Sequence, residues 1–152
     1  MTAPDPGCPE PADIAGRLRT AIQHLLPVLR AGSVRGDLTP SRQAALAALA
    51  DHGPLRISDL AAHMGIALST VSRMVDLLDG SGWIERNPDP QDQRACLIAL
   101  SDTGRTLLDT VRREAAARLA EQVTRLTPEE QRSLYAALPA LEALSEQAAR
   151  HP

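Results

Sequence analysis

The segment from Ile57 to Arg94, ISDLAAHMGIALSTVSRMVDLLDGSGWIERNPDPQDQR, constrains the fold more than any other part of the chain. A short helix, a glycine turn and a longer helix are followed by a polar hairpin. In the longer helix Val71, Met74, Val75 and Leu78 recur at i, i+3, i+4 and i+7, which puts all four on one face. Ser69, Ser72, Arg73 and Asp76 occupy another side. A helix of this kind docks on a protein core by its apolar face and leaves a polar face free to enter a nucleic-acid groove.

The flanking pattern is helical. Residues 1–11 hold four prolines and little that can pack, so a disordered tail is expected. From Ala12 a helical period runs through Ile14, Leu18, Ile22, Leu25 or Leu26, and Leu29, with Asp13 placed to cap its start. Pro27 lies inside it and predicts a kink, and Ala31 to Asp37, with two glycines, ends it. Thr39-Pro40 is a cap hydroxyl followed by proline at the first helical position. That helix reaches Asp51 or His52 and stops at Gly53-Pro54. Leu55–Ile57 allows only a very short strand. Ser58 is placed to cap the next helix, which buries Leu60, Ala61 and Met64 before Gly65 turns the chain. Gly82 suits a left-handed helix end. Trp83–Arg86 and Ala95–Leu100 read as strands, separated by Asn87–Gln93, a stretch too long for a two-residue turn.

Ser101-Asp102-Thr103-Gly104 opens a long helix with a stripe of Leu107, Val111, Ala115, Leu119, Val123 (or Gln122) and Leu126. About 24 residues give it roughly 36 Å. Thr127-Pro128-Glu129-Glu130 is a capping box. The last helix carries Leu134, Leu138, Leu141 and Leu144, with Pro139 predicting a second kink. These terminal stripes are long for one small core. A second copy of the chain is the simplest cover, with the first helix and the last two intertwined in a two-fold dimer. The expected fold is mainly α with a small β-wing. Residues 38–101 form a winged-helix lobe, with the helix-turn-helix at 57–80, and residues 12–37 and 102–150 form the dimerisation helices.

Composition bounds the chemistry. Phe is absent and Trp83 and Tyr135 are the only aromatics, so the core is Leu, Ala, Val and Ile. All sixteen basic residues are Arg, each able to make planar bidentate contacts to phosphate or guanine. The net charge is −3, and Pro54–Arg94 holds Arg56, Arg73, Arg86 and Arg94 against six carboxylates. Any nucleic-acid affinity must then come from placed arginines and backbone amides rather than a bulk field. Cys8, in the tail, and Cys96, expected as a buried inert thiol, form no pair motif, which suits a reducing, cytoplasmic setting. No apolar run reaches membrane length. His24, His52, His63 and His151 show no ligand spacing, and there is no nucleophile elbow, P-loop or dinucleotide fingerprint. Neither a metal, a cofactor nor a catalytic constellation is expected, and the chain does not read as an enzyme.

With the wing in view the chain resembles the MarR family of bacterial winged-helix transcription regulators. The matching pieces are Leu38-Thr39-Pro40, then Leu60-Ala61 with Gly65, and Ser69-Thr70-Val71-Ser72-Arg73 with Leu78, Gly82, Ile84 and Arg86. Asp92-Gln93-Arg94 follows in the wing, then Leu100-Ser101-Asp102-Thr103-Gly104, similar to the family's Leu-Thr-x-x-Gly signature. The resemblance spans roughly Ala12 to Arg150. It implies a homodimeric regulator, usually a repressor, bound to a palindromic operator in double-stranded DNA. A recognition helix enters each major groove and a wing arginine each flanking minor groove. A small phenolic or other amphipathic ligand often releases such proteins. Oxidant-sensing members use a cysteine on the first helix, where this chain has none.

The candidate DNA-binding residues follow. Ser69, Thr70 and Ser72 offer short donors near a helix start, and Arg73 can reach guanine O6 and N7. Ala67-Leu68 stands where the family often has a capping residue and then proline, so either Ser69 caps a later start or the cap is missing. Asp92 is placed to hold the hairpin and orient Arg94 toward a narrow minor groove. Arg56 and Ser58, at the start of the first helix of the motif, suit a phosphate, with Ser58 equally suited to a plain N-cap. His24, Arg42 and His52 are candidate polar groups of a ligand pocket between the helical and winged parts, or else ordinary surface and interface residues. The alternative function is a winged-helix protein-interaction module without specific DNA binding.

Overall fold

The structure, a computed structural model, describes residues 9–30 and 37–150. The order is α1 (Pro11–Arg30), α2 (Pro40–His52), β1 (Leu55–Arg56), α3 (Ile57–Met64), α4 (Leu68–Gly80), β2 (Ile84–Asp89), β3 (Asp92–Leu100), α5 (Asp102–Val123) and α6 (Pro128–Arg150). The expected mainly helical fold with a small sheet is what forms. The chain divides into two compact units, residues 1–115 and 116–152.

The core of the first unit is aliphatic. Leu38, Leu46 and Leu49, from α2 and its approach, meet Leu60 of α3 and Val71, Val75 and Leu78 of α4. Ile98 and Leu100 of β3 close it from the sheet, and Leu108 and Val111 from α5. Burying a Val, Leu or Ile side chain stabilises by roughly 1.5–3 kcal/mol, so this one cluster fixes the positions of α2, α3, α4 and the sheet. On α5 Leu108 is buried together with Val111 of the expected stripe, and Leu107 of that stripe is half-buried against the same core.

Helix ends follow local chemistry where side chains can reach. Thr39 caps α2, its hydroxyl accepting from the Arg42 amide at 3.3 Å. Asp13 does not cap α1. The helix begins two residues earlier, at Pro11, and the amides of Asp13 and Ile14 bond the Glu10 carbonyl. Proline suits that first position because its missing N–H would have no helical partner there. Helices α1 and α6 each continue past their internal prolines, Pro27 and Pro139. Residues 31–36, expected to end α1, lie outside the described residues, as does most of the expected tail.

The sheet order is β1-β3-β2, antiparallel throughout. The hairpin departs from the sequence expectation. The strands pair as far as Asp89 and Asp92, which leaves Pro90-Gln91 as a two-residue turn. Pro88 is tolerated inside β2 because β2 is an edge strand and its missing N–H removes no ladder bond. Asp89 secures the turn, accepting from the Gln91 amide at 2.9 Å. Pro88 pairs with Cys96 and Asp89 with Asp92, so residues 93–95 of β3 bulge with no partner on β2.

The end of α4 is tied to the start of α5. Trp83 donates its amide to Leu78 and Gly82, at φ 72°, donates to Asp79, the paired bonds of a Schellman helix end. The Ser101 amide reaches the Trp83 carbonyl at 3.1 Å, and its hydroxyl donates to the Gly82 carbonyl at 2.7 Å while accepting from the Gly104 amide at 3.0 Å. A Cβ on Gly104 would stand 2.0 Å from the Trp83 carbonyl oxygen. Only glycine allows this approach, which gives the Leu-Ser-x-x-Gly signature its physical content.

In the second unit the capping box closes as expected. Glu130 Oε2 accepts from the Thr127 amide at 2.8 Å and the Glu130 amide donates to the Thr127 hydroxyl at 3.3 Å. The Thr127 amide, and then its hydroxyl, hold the Glu130 carboxyl below the usual glutamate range.

Candidate nucleic-acid interface

Helix α4 starts without a cap. Ala67 stands at the N-cap position with no side-chain bond, and Leu68 is the first helical residue. Ser69 is therefore inside the first turn, which decides between the two starts the sequence allowed. Val71, Met74, Val75 and Leu78 are buried, as expected. Ser69, Thr70 and Arg73 are exposed and Ser72 is half-exposed. None of these four side chains has a hydrogen-bond or ion-pair partner among the described residues.

Ser58 does not cap α3. Arg56 is at the N-cap position with φ −69° and ψ 154°, and Ser58 is the second helical residue. The reason is the sheet. Leu55 and Arg56 pair with Ile98 and Leu97 of β3, and the chain passes from strand to helix with no intervening residue. The Ser58 hydroxyl is exposed and has no partner among the described residues.

The four arginines of Pro54–Arg94 divide into two that bond carboxylates and two that do not. Arg56 donates through Nε and Nη2 to Asp89 Oδ2, at 2.9 and 2.5 Å. Asp89 retains only 6% of its surface. The Gln91 amide, and then the Arg56 guanidinium, hold the Asp89 carboxyl below the usual aspartate range, and the same bond raises Arg56. Arg86 of β2 reaches Asp76 at 2.5 Å and Asp79 at 2.9 Å, which ties the wing to α4 and raises Arg86. Asp76 thus belongs with the wing clamp rather than with the open polar face of α4. Arg73 and Arg94 have no carboxylate partner among the described residues.

Arg94 lies in the bulge of β3, where the backbone leaves the ladder and the side chain is exposed. Asp92 acts on it through the main chain, accepting from the Arg94 amide at 3.0 Å; the two side chains form no ion pair. Sequence reasoning missed Asp89. Its only signal was an aspartate between two prolines, and its partner is 33 residues away.

The residues suggested for a ligand pocket are engaged separately. His24 lines a shallow groove along α1 with Asp13, Gly16, Arg17 and Thr20. Arg42 donates to the Asp37 carbonyl. His52, at the end of α2, stacks on His63 of α3 with ring centroids 4.2 Å apart. Cys96 is half-buried on β3 rather than fully buried, and Cys8 lies outside the described residues. No cluster of three potential metal ligands occurs among the described residues, and no described helix is long and apolar enough to cross a membrane.

Known proteins share this architecture. The MarR family model matches residues 38–96, from the start of α2 into β3. The HTH-type transcriptional regulator YfiV of Bacillus subtilis is 28% identical over 67% of this chain. The match covers 64% of YfiV, so the chain spans just under two thirds of that protein's length. The HTH-type transcriptional repressor MdtR of Bacillus subtilis is 29% identical over 78% of this chain and 77% of its own. The crystal structure of RV1404 from Mycobacterium tuberculosis superposes with a TM-score of 0.77 at 30% identity, covering 91% of this chain and 97% of that one.

Proposed function

This chain belongs to the MarR family, whose named relatives are transcriptional regulators rather than enzymes, and from that premise we propose that it is a homodimeric DNA-binding repressor. One observation carries the DNA-binding part. Of the four arginines in the net-acidic stretch Pro54–Arg94, Arg56 and Arg86 are bound to internal carboxylates, and Arg73 of α4 and Arg94 of the wing have no carboxylate partner among the described residues. Arg73 addresses a base edge in the major groove, and the hydroxyls of Ser69, Thr70 and Ser72 address the phosphates beside it. Arg94 addresses the flanking minor groove. Asp92 positions Arg94, and Arg56 and Ser58 lie beside the phosphate path.

Dimerisation is supported by apolar surface that one chain leaves bare. Helix α1 has no buried residue, and Ile14, Ile22, Leu25 and Leu29 are exposed along it. On α6 Leu134, Leu138 and Leu144 are exposed too. Residues 12–37 and 102–150 are the proposed dimerisation helices. A two-fold dimer presents two recognition helices and calls for an inverted-repeat operator. Repression is supported by the kinship with MdtR. Release by a small amphipathic or phenolic ligand is part of the proposal, with His24, Arg42 and His52 as candidate polar contacts.

An anisotropy titration with duplex DNA from the region flanking the protein's own gene tests the proposal. The expected result is saturable binding to an inverted repeat, two chains per site, weakening steeply with salt. Sequence-independent binding, or none at low salt, overturns it.

A further inference from the structure

Between the start of α3, the first turns of α4 and β3 lies a shallow groove lined by Arg56, Ile57, Ser58, Leu68, Ser72, Ala95 and Cys96. Its floor is apolar. Leu68 is 55% exposed, and Ile57, Ala95 and Cys96 line the same groove half-buried. Its rim is a set of donors. The Ser58 and Ser72 hydroxyls have no partner among the described residues. Arg56 spends Nε and Nη2 on Asp89 and keeps Nη1 unbonded. Two of these features contradict ordinary helix economy: an exposed leucine at the first position of an uncapped helix, and a serine that the strand junction displaces from its capping place.

We propose that this groove seats one deoxyribose-phosphate unit of the DNA strand that separates the two grooves being read. The inference rests on the DNA-binding reading above. With α4 in the major groove and the wing in the adjacent minor groove, the strand between those grooves must cross the surface between α4 and β3. The rim donors, one of them cationic, match a phosphate. The floor matches the C–H face of a deoxyribose. It holds no carboxylate or carbonyl-bearing side chain, and Cys96 is only a weak hydrogen-bond partner. A ribose 2′-hydroxyl pressed there would lose its water without replacement, which disfavours RNA-containing duplexes at this step. Leu68 and Ser72 thus become specificity-determining residues for the sugar and the phosphate, distinct from the base-reading role of Arg73.

Substituted operators test this. In the duplex footprinted upstream of the protein's own gene, single deoxynucleotides are replaced in turn by ribonucleotides, and single phosphates by methylphosphonates. One position in each half-site should lose about fivefold or more in affinity on ribonucleotide replacement, and its neighbouring phosphate about tenfold on neutralisation. Leu68→Ser should shrink the ribonucleotide penalty below about twofold while leaving the methylphosphonate penalty intact. Ser72→Ala should shrink the methylphosphonate penalty and leave the sugar penalty unchanged. If the unmodified operator binds but no position shows a sugar penalty, or if Leu68→Ser leaves that penalty unchanged, the groove assignment is wrong and the DNA-binding reading stands. If no duplex binds specifically, both fail together.

Discussion

Gly104→Ala tests the joint between the wing and the long helix. The new methyl would lie 2.0 Å from the Trp83 carbonyl oxygen and 2.8 Å from its carbon, and both are backbone atoms that cannot swing aside. Relief requires the contact to open to the 3.4 Å of ordinary van der Waals packing, so the start of α5 must retreat from Trp83. That retreat stretches two hydrogen bonds, Ser101 amide to Trp83 carbonyl at 3.1 Å and Ser101 hydroxyl to Gly82 carbonyl at 2.7 Å. Overpacking costs about 1–3 kcal/mol, and each bond lost about 0.5–1.5 kcal/mol. The better helix propensity of alanine returns at most about 1 kcal/mol. The net expectation is a loss of about 1–6 kcal/mol, centred on about 3, in urea unfolding at unchanged m-value. Gly80→Ala is the control, because a Cβ there meets nothing within 4 Å. It should be neutral or stabilising by up to about 1 kcal/mol. A Gly104→Ala protein within about 0.5 kcal/mol of the parent refutes the close approach.

Further outcomes follow from the same geometry. Asp89 is held below its unfolded pKa by the Gln91 amide and Arg56, so its contribution is complete above the ordinary aspartate value and disappears as pH falls through the depressed one. Carboxyl NMR should therefore find Asp89 titrating below about pH 3.9, and a midpoint at or above that value would show the clamp to be open. Thr127→Ala removes one member of the capping box and should cost about 1 kcal/mol by thermal unfolding; no change would mean that α6 does not need its cap. Ile22→Glu and Leu138→Glu place charge on surface that is already exposed in one chain. Each should leave a folded monomer within about 0.5 kcal/mol yet abolish the dimer in sedimentation velocity. A dimer that survives both changes contradicts the proposed interface.

What the sequence disclosed depended on how each feature is encoded. The buried face of α4 was legible because burial on one side of a helix leaves its period in the residues: Val71, Met74, Val75 and Leu78 are all in the core. The Thr39 cap and the Thr127–Glu130 box were legible because cap and amide lie within three residues of each other. The wing was only half legible. Its strands are paired by main-chain bonds that sequence does not mark, and Asn87–Gln93 read as one long connection, although edge strand β2 accommodates Pro88 and the turn accommodates Pro90. The missing cap at Ser58 depended on β1 running directly into α3, a tertiary fact. In the sequence Arg94 had a nearby carboxylate, Asp92, and Arg56 had no marked partner. Only the fold brings Asp89 against Arg56 and leaves Arg94 with no carboxylate partner among the described residues.

That division of the arginines is the centre of the account, and salt-dependent affinity measures it directly. Anisotropy titrations against the footprinted operator, over a range of salt, compare the parent with Arg73→Ala, Arg94→Ala and Arg86→Ala. Arg73→Ala and Arg94→Ala should each weaken binding by about 1–3 kcal/mol. Arg73→Ala should relax base preference, and Arg94→Ala should flatten the salt slope by about one unit. Arg86→Ala, whose charge is already matched by Asp76 and Asp79, should keep the parent's salt slope. The contrary result would be equal slope losses for all three, or full affinity in Arg73→Ala and Arg94→Ala, because either outcome would mean that the Asp76 and Asp79 contacts do not set Arg86 apart from Arg73 and Arg94 at the DNA.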